Sequence, residues 1–231
     1  MIYTIINQGG GKPLWWYFSL VVSYALILFV MLPVHEMAHA YTAVKLGDNT
    51  SRWHGRLSFN PLRHLDIIGT ALLVLFGFGY AKPVPVNPRN FSRPKRDMAL
   101  TALAGPVSNI LLALISFFLI RVILSTGVAY GFGWYVCYAL FICATVNLNL
   151  AVFNLLPLPP LDGSRIFSAF LPSRWVYYME QYRQYLTIAL FFLIATDVLD
   201  KPLMLLTDGL ATALCALTGL DFPSLVFMLM R

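Results

Sequence analysis

The stretch that most constrains this chain runs from Leu14 to Tyr41. Leu14 to Val34 is 21 residues without a charge, and about 20 apolar residues cross the hydrocarbon core of a bilayer. The run leads directly into His35, Glu36, Met37, Ala38 and His39. Ionisable groups inside a membrane helix are expensive and mark function. On a helix, residues four apart share a face, so His35 and His39 point the same way and Glu36 lies beside them. This is the HExxH pattern. Two neutral imidazoles can bind one cation there, and the carboxylate can take a proton from water on the metal. A chance match on a helix is the rival reading of HExxH taken alone.

With 59% apolar and 11% charged residues in 231, the chain is far from a soluble composition. It reads as one all-α polytopic membrane domain over residues 1–231, with a core at about 14–170 and C-terminal membrane helices at about 171–231. The net charge of +6 does not point to nucleic acid, because the basic residues border apolar runs and form no patch with interleaved aromatics. Positive-inside topology explains them, and Lys45, Arg52, Arg56 and Arg63 put the far end of the first helix in the cytoplasm. No small-residue cleavage site follows a short apolar core, so the first span reads as retained. Cys137, Cys143 and Cys215 lie in apolar segments without a CxxC, as packed or lipid-facing thiols.

In chain order, Trp15, Trp16 and Tyr17 form an interfacial belt, the first helix runs to about Leu46, and Gly47 stops it. At 1.5 Å per residue His35 is roughly 30 Å from Trp15, near the opposite face, and Pro33 can shift it inward. Trp53 to Asn60 alternates bulky and polar residues like a short strand. Ile67 to Ala81, with Gly69, Gly77 and Gly79, is short and flanked by bases on both sides, which favours a re-entrant segment over a thin span. Prolines 83, 85, 88 and 94 exclude a helix from Lys82 to Pro94. An extended edge there could pair with a substrate backbone, and a stiff linker is the alternative. Met98 to Ile120 spans outward, with Ala104, Gly105 and Ser108 as a close-packing face and Asn109 as a polar group needing a partner. After an outer turn at Ser125 to Gly133, Val136 to Phe153 returns. Trp175 to Tyr185 suits the interface, Tyr185 to Thr196 spans outward, and Leu203 to Leu220 returns.

Asp162 follows three prolines at the cytoplasmic end of the returning helix, at the depth of His35 and His39. A catalytic zinc takes three protein ligands and one open position, and His35, His39 and Asp162 supply that count. His54 and His64, in the cytoplasmic loop, are expected to be solvated or capping. An approach of His64 to the site, as an extra ligand or proton relay, is the competing reading.

These residues resemble the site-2 proteases, intramembrane zinc metalloproteases. HExxH at His35–His39 and NLLPLPPLDG at Asn154–Gly163 carry the resemblance. GRLSFNPLRHLD from Gly55, AKPVPVNPRNF from Ala81 and AGPVSN from Ala104 extend it over about residues 30–170, in the manner of a compact prokaryotic branch without PDZ or CBS modules. The resemblance implies three helices around zinc with an embedded β-hairpin nearby, His35, His39 and Asp162 as ligands, and Glu36 as base and acid. It implies that Asn154 positions the substrate or polarises its carbonyl, an inter-helix hydrogen bond being the alternative. The implied activity is cleavage of transmembrane proteins or peptides within the bilayer, near the cytoplasmic face. A divalent-cation transporter and a scaffold with a structural zinc stand as rivals.

Overall fold

In the computed structural model, which describes residues 11, 13–76, 81–127 and 131–230, every named element is a helix, with no named strand among the described residues. Helix α1 spans Leu14–Lys45 and contains a π turn at Ile27–Met31. Pro33 is its cause. Proline lacks the N–H that would bond the carbonyl of Phe29, and its ring crowds that carbonyl, so the preceding turn widens. The helix ends as expected, with Gly47 in the left-handed region at φ 111°.

Helix α2, Ile67–Phe76, follows. Leu65 and Ala81 form an antiparallel bridge, and the Lys82 amide donates to the His64 carbonyl at 2.7 Å. The two ends of the segment between them therefore lie side by side. Gly77 and Gly79 lie outside the described residues, as do residues 1–10 of the polar N-terminal stretch and 128–130 of the outer turn.

The strand expected over Trp53 to Asn60 is absent. Thr50–Trp53 is one helical turn, Gly55 takes φ 66°, and no neighbouring strand pairs with the alternating residues that follow. Among the described residues the embedded hairpin likewise reduces to the single bridge at Leu65 and an extended run after Lys82. Prolines 83, 85 and 88 remove the amides that a longer ladder would use.

Helices α3 (Pro94–Ser125) and α4 (Phe132–Asn154) are, with α1, long and apolar enough to cross a membrane. Trp16, Leu20, Phe117, Ile120, Phe141 and Leu148 form the core between them. Ala113, Ala144 and Cys137 are fully buried at their contacts, where small side chains allow close approach. The Trp16 indole donates to the Tyr138 hydroxyl at 3.1 Å. All three cysteines are packed, unpaired thiols.

A short α5 (Asp162–Ser168) and an α6 (Ser173–Gln181) come next. Trp175, Tyr177 and Tyr178 stand exposed on α6, which suits an interfacial helix. Helix α7, Arg183–Ala195, has 13 residues and is about 20 Å long, too short to be the outward span expected there. Helices α8 (Asp200–Leu217) and α9 (Phe222–Met230) meet the length and composition of a span only together, across a 102° bend. Ala211, Leu214, Leu225 and Leu229 join them to the core.

Candidate metal centre

His35, Glu36 and His39 are all buried on α1. The His39 Nδ1 lies 2.7 Å from the Thr101 carbonyl of α3. A carbonyl only accepts, so Nδ1 carries the proton, and in the neutral ring Nε2 is a bare lone pair. That Nε2 lies 3.1 Å from the His35 Nε2, with the two rings perpendicular.

Gly105 makes this possible. A Cβ at that position would sit 2.4 Å from the His39 Nε2 and 2.5 Å from the His35 Cε1. The face of α3 that approaches α1 therefore has to be bare where the imidazoles lie.

Asp162 comes from the other side. After α4 the chain folds back through Leu155–Leu161, and Leu161 is extended before α5 begins at Asp162. Gly163 permits the fold-back, since a Cβ there would lie 2.2 Å and 2.4 Å from the carbonyl oxygens of Leu156 and Leu155. The Asp162 Oδ2 then stands 3.4 Å from the His35 Nε2 and 3.2 Å from the His39 Nε2. As a carboxylate, Asp162 offers an anionic oxygen to this group.

The ligand atoms of His35, His39 and Asp162 all lie within 4.8 Å of one another. Two nitrogen lone pairs and one anionic oxygen aimed at a common point repel each other unless a cation joins them. The set has the nitrogen and oxygen donors that zinc takes, and the three ligands of a catalytic site that keeps a position open. The residues fit the metal.

Glu36 is held from the opposite side by the extended run after Lys82. The Val84 amide donates to its Oε2 at 3.2 Å, and Val84 is itself buried. This strap is tied at its start to His64, as above, and at its end to Asp48. The Asp48 carboxylate accepts from the Asn87 amide and the Asn90 side chain, each at 2.7 Å, and from the Thr50 amide at 3.0 Å. Burial opposes the Asp48 charge, but hydrogen bonds from Thr50, Asn90 and Asn87 outweigh it and lower the carboxyl pKa. Gly47 closes the join, with the Asn90 carbonyl 3.4 Å from where its Cβ would be.

The other expected residues fall elsewhere. Asn154 is the last residue of α4, half-buried, with no side-chain hydrogen bond among the described residues. His54 is exposed and caps its own turn through the Thr50 carbonyl. His64 is not solvated. It is fully buried, with Nε2 on the Ser58 carbonyl at 2.7 Å, where it organises the loop at the bridge; it is not in the donor group. Asn109 is buried, but neither of its side-chain polar atoms has a partner. Sequence reasoning missed Thr101, Val84 and Asp48. Gly105 was readable only as a packing residue.

A buried His–His–Asp set with a carboxylate beside it, enclosed by long apolar helices, has the make-up of a membrane-embedded metal hydrolase. Residues 129–196 match peptidase family M50. The chain is 42% identical over 184 residues to YwhC of Bacillus subtilis, which carries a zinc metalloprotease name, covering 78% of this chain and 83% of YwhC. It is 30% identical to MJ0611 of Methanocaldococcus jannaschii, over 57% of this chain and 62% of that protein. It is also 30% identical to Rip2 of Mycolicibacterium smegmatis, over 57% of this chain and 51% of that protein. Both of these carry zinc metalloprotease names as well. No solved structure matches the chain. The chain belongs to peptidase family M50, the site-2 proteases, and is an integral membrane zinc metalloprotease.

Proposed function

We propose that this protease cuts membrane-spanning segments of other proteins near the cytoplasmic face, as in regulated intramembrane proteolysis, with His35, His39 and Asp162 holding zinc in the HExxH…LDG arrangement. The observation that carries the reading is the convergence of three donor atoms within 4.8 Å beside Glu36, at the basic-flanked end of an apolar helix. Zinc, when bound, acidifies a water and polarises a peptide carbonyl.

Glu36 is the base and then the acid. Its carboxylate takes the proton from the attacking water and delivers it to the leaving nitrogen. The Val84 amide holds one carboxylate oxygen, which fixes the side chain and leaves the other free for proton transfer. Asn154, free at the end of α4, holds the substrate carbonyl or its neighbouring amide.

A membrane helix hides its carbonyls in its own hydrogen bonds, so a substrate has to unwind before it is cut. The strap over Glu36 offers an extended edge to hold it. Prolines 83, 85 and 88 have no amide, and the Val84 and Asn87 amides are committed to Glu36 and Asp48. The substrate strand therefore pairs chiefly with strap carbonyls and the Val86 amide. A cation transporter would distribute its ligands along a path, whereas here they gather at one point.

The test is to reconstitute the protein in vesicles with a tagged single-span substrate and to map the cut by mass spectrometry. The expected cut lies within the span, toward the basic-flanked side. Cuts confined to water-exposed loops would contradict the reading.

A further inference from the structure

Four buried polar atoms inside the bundle have no hydrogen-bond partner among the described residues: the His35 Nδ1, both side-chain polar atoms of Asn109, and the Asn147 Oδ1. An unmade hydrogen bond on a buried group costs roughly 1–3 kcal/mol, so atoms left in this state need a reason. Three different helices contribute them, and helix register puts them at one depth.

On α3, Thr101, Gly105 and Asn109 recur every four residues and so share a face. Thr101 meets His39, and Gly105 abuts both His39 and His35. The two helices run in opposite directions, so the next turn of α3, at Asn109, lies alongside the turn of α1 that joins His35 to Met31. Leu112, a turn further, packs against the cluster of Ile27, Leu28, Met31 and Cys143, which brackets Asn109 from the other side. On α4, Asn147 donates to the Met31 sulfur at 2.6 Å and to the Cys143 carbonyl at 2.8 Å, leaving its oxygen free at the same level.

His35 and His39 differ in one respect. The Thr101 carbonyl fixes the His39 tautomer with its lone pair toward the donor group. His35 presents Nε2 to that group in the same way, so its proton also belongs on Nδ1, which then needs an acceptor.

We propose that Asn109 and Asn147 hold one buried water that accepts the His35 Nδ1 proton, making the two asparagines positioning residues for this ligand. The water donates to the Oδ1 atoms of Asn109 and Asn147, and its oxygen accepts from His35 and from the Asn109 amide group. Four polar partners meet the needs of a buried water, which usually makes about three hydrogen bonds. The pair thus does for His35 what Thr101 does for His39, across a gap that a side-chain amide alone does not close.

The inference rests on the reading of His35 as a zinc ligand, and one set of measurements separates the two. Zinc affinity is measured by chelator competition on the purified full-length native protein and on His35→Ala, Asn109→Leu and Asn109→Asp. Thermal melting is measured on the same proteins stripped of metal. The expected result is tenfold or more weaker zinc binding in Asn109→Leu, near-native binding in Asn109→Asp, which keeps an acceptor, and a stripped Asn109→Leu that melts no earlier than native. Leucine is close to asparagine in shape and gives up only the hydrogen bonds to the water, a small net loss, so the melting of the metal-free fold should change little.

Native zinc affinity in Asn109→Leu, with His35→Ala having lost zinc, overturns the inference and leaves the ligand reading standing. An Asn109→Leu protein that melts earlier when stripped, or fails to fold, overturns it in favour of a purely structural asparagine. Unchanged affinity in His35→Ala overturns the ligand reading itself.

Discussion

The two halves of the metal centre are built by different means. His35, Glu36 and His39 sit on a continuous helix, where spacing fixes direction, and the neighbouring element makes room for them by having no side chain at Gly105. Asp162 sits after a proline-broken turn, where no regular spacing operates, and its position depends on backbone passing close to backbone at Gly163. In the helical half the tight neighbours are imidazole rings that can rotate. In the loop half they are carbonyls that cannot move without unravelling the turn. Two glycines that look alike in sequence therefore guard different things, one the metal geometry and the other the fold.

Substitution separates them. Gly163→Ala drives a methyl group into the carbonyls of Leu155 and Leu156, and the expected cost is about 3 kcal/mol or more, read as a large loss of thermal stability in detergent. Gly105→Ala meets only the imidazoles. Its expected cost to stability is about 1–2 kcal/mol, while zinc affinity falls more than about 100-fold because the rings turn away. If Gly105→Ala keeps its zinc, or Gly163→Ala melts like the native protein, the distinction between the halves fails.

A smaller effect is expected at Asp48, which ties the strap over Glu36 to the end of α1. Asp48→Asn weakens hydrogen bonds to a charged acceptor and should lower stability by about 2 kcal/mol at neutral pH. The carboxyl pKa is depressed below its ordinary 3.8 in the folded protein, despite burial, by its donors. Its contribution is therefore complete above the unfolded-state pKa and is lost as pH falls through the folded value. The gap in melting temperature between native protein and Asp48→Asn should be widest near neutral pH and should close in strong acid. A gap that stays constant with pH would show that the Asp48 charge has no part in holding the strap.

The same division governs what could be read from the sequence. The histidines, Glu36 and the three long helices follow from periodicity and uninterrupted apolar runs, which are local properties. Asp162 was legible because three prolines end a helix at a defined depth. Thr101 and Val84 were not, since each contributes only backbone, and any residue type can supply a carbonyl or amide. Asp48 gave no signal of its own, because two of its donors, Asn87 and Asn90, lie about 40 positions away. The strand expected over Trp53 to Asn60 failed for a related reason: alternation describes a surface but supplies no partner. Asn109 was expected to find a partner across the helices, and its unpaired state became visible only with the packing of α1, α3 and α4.

The central claim is that Glu36 moves the proton while His35, His39 and Asp162 hold the zinc. Its most direct test measures zinc content and cleavage of a membrane-spanning substrate on one preparation of Glu36→Gln. Zinc equal to native with cleavage abolished is the expected result. Cleavage retained in that variant would contradict the claim.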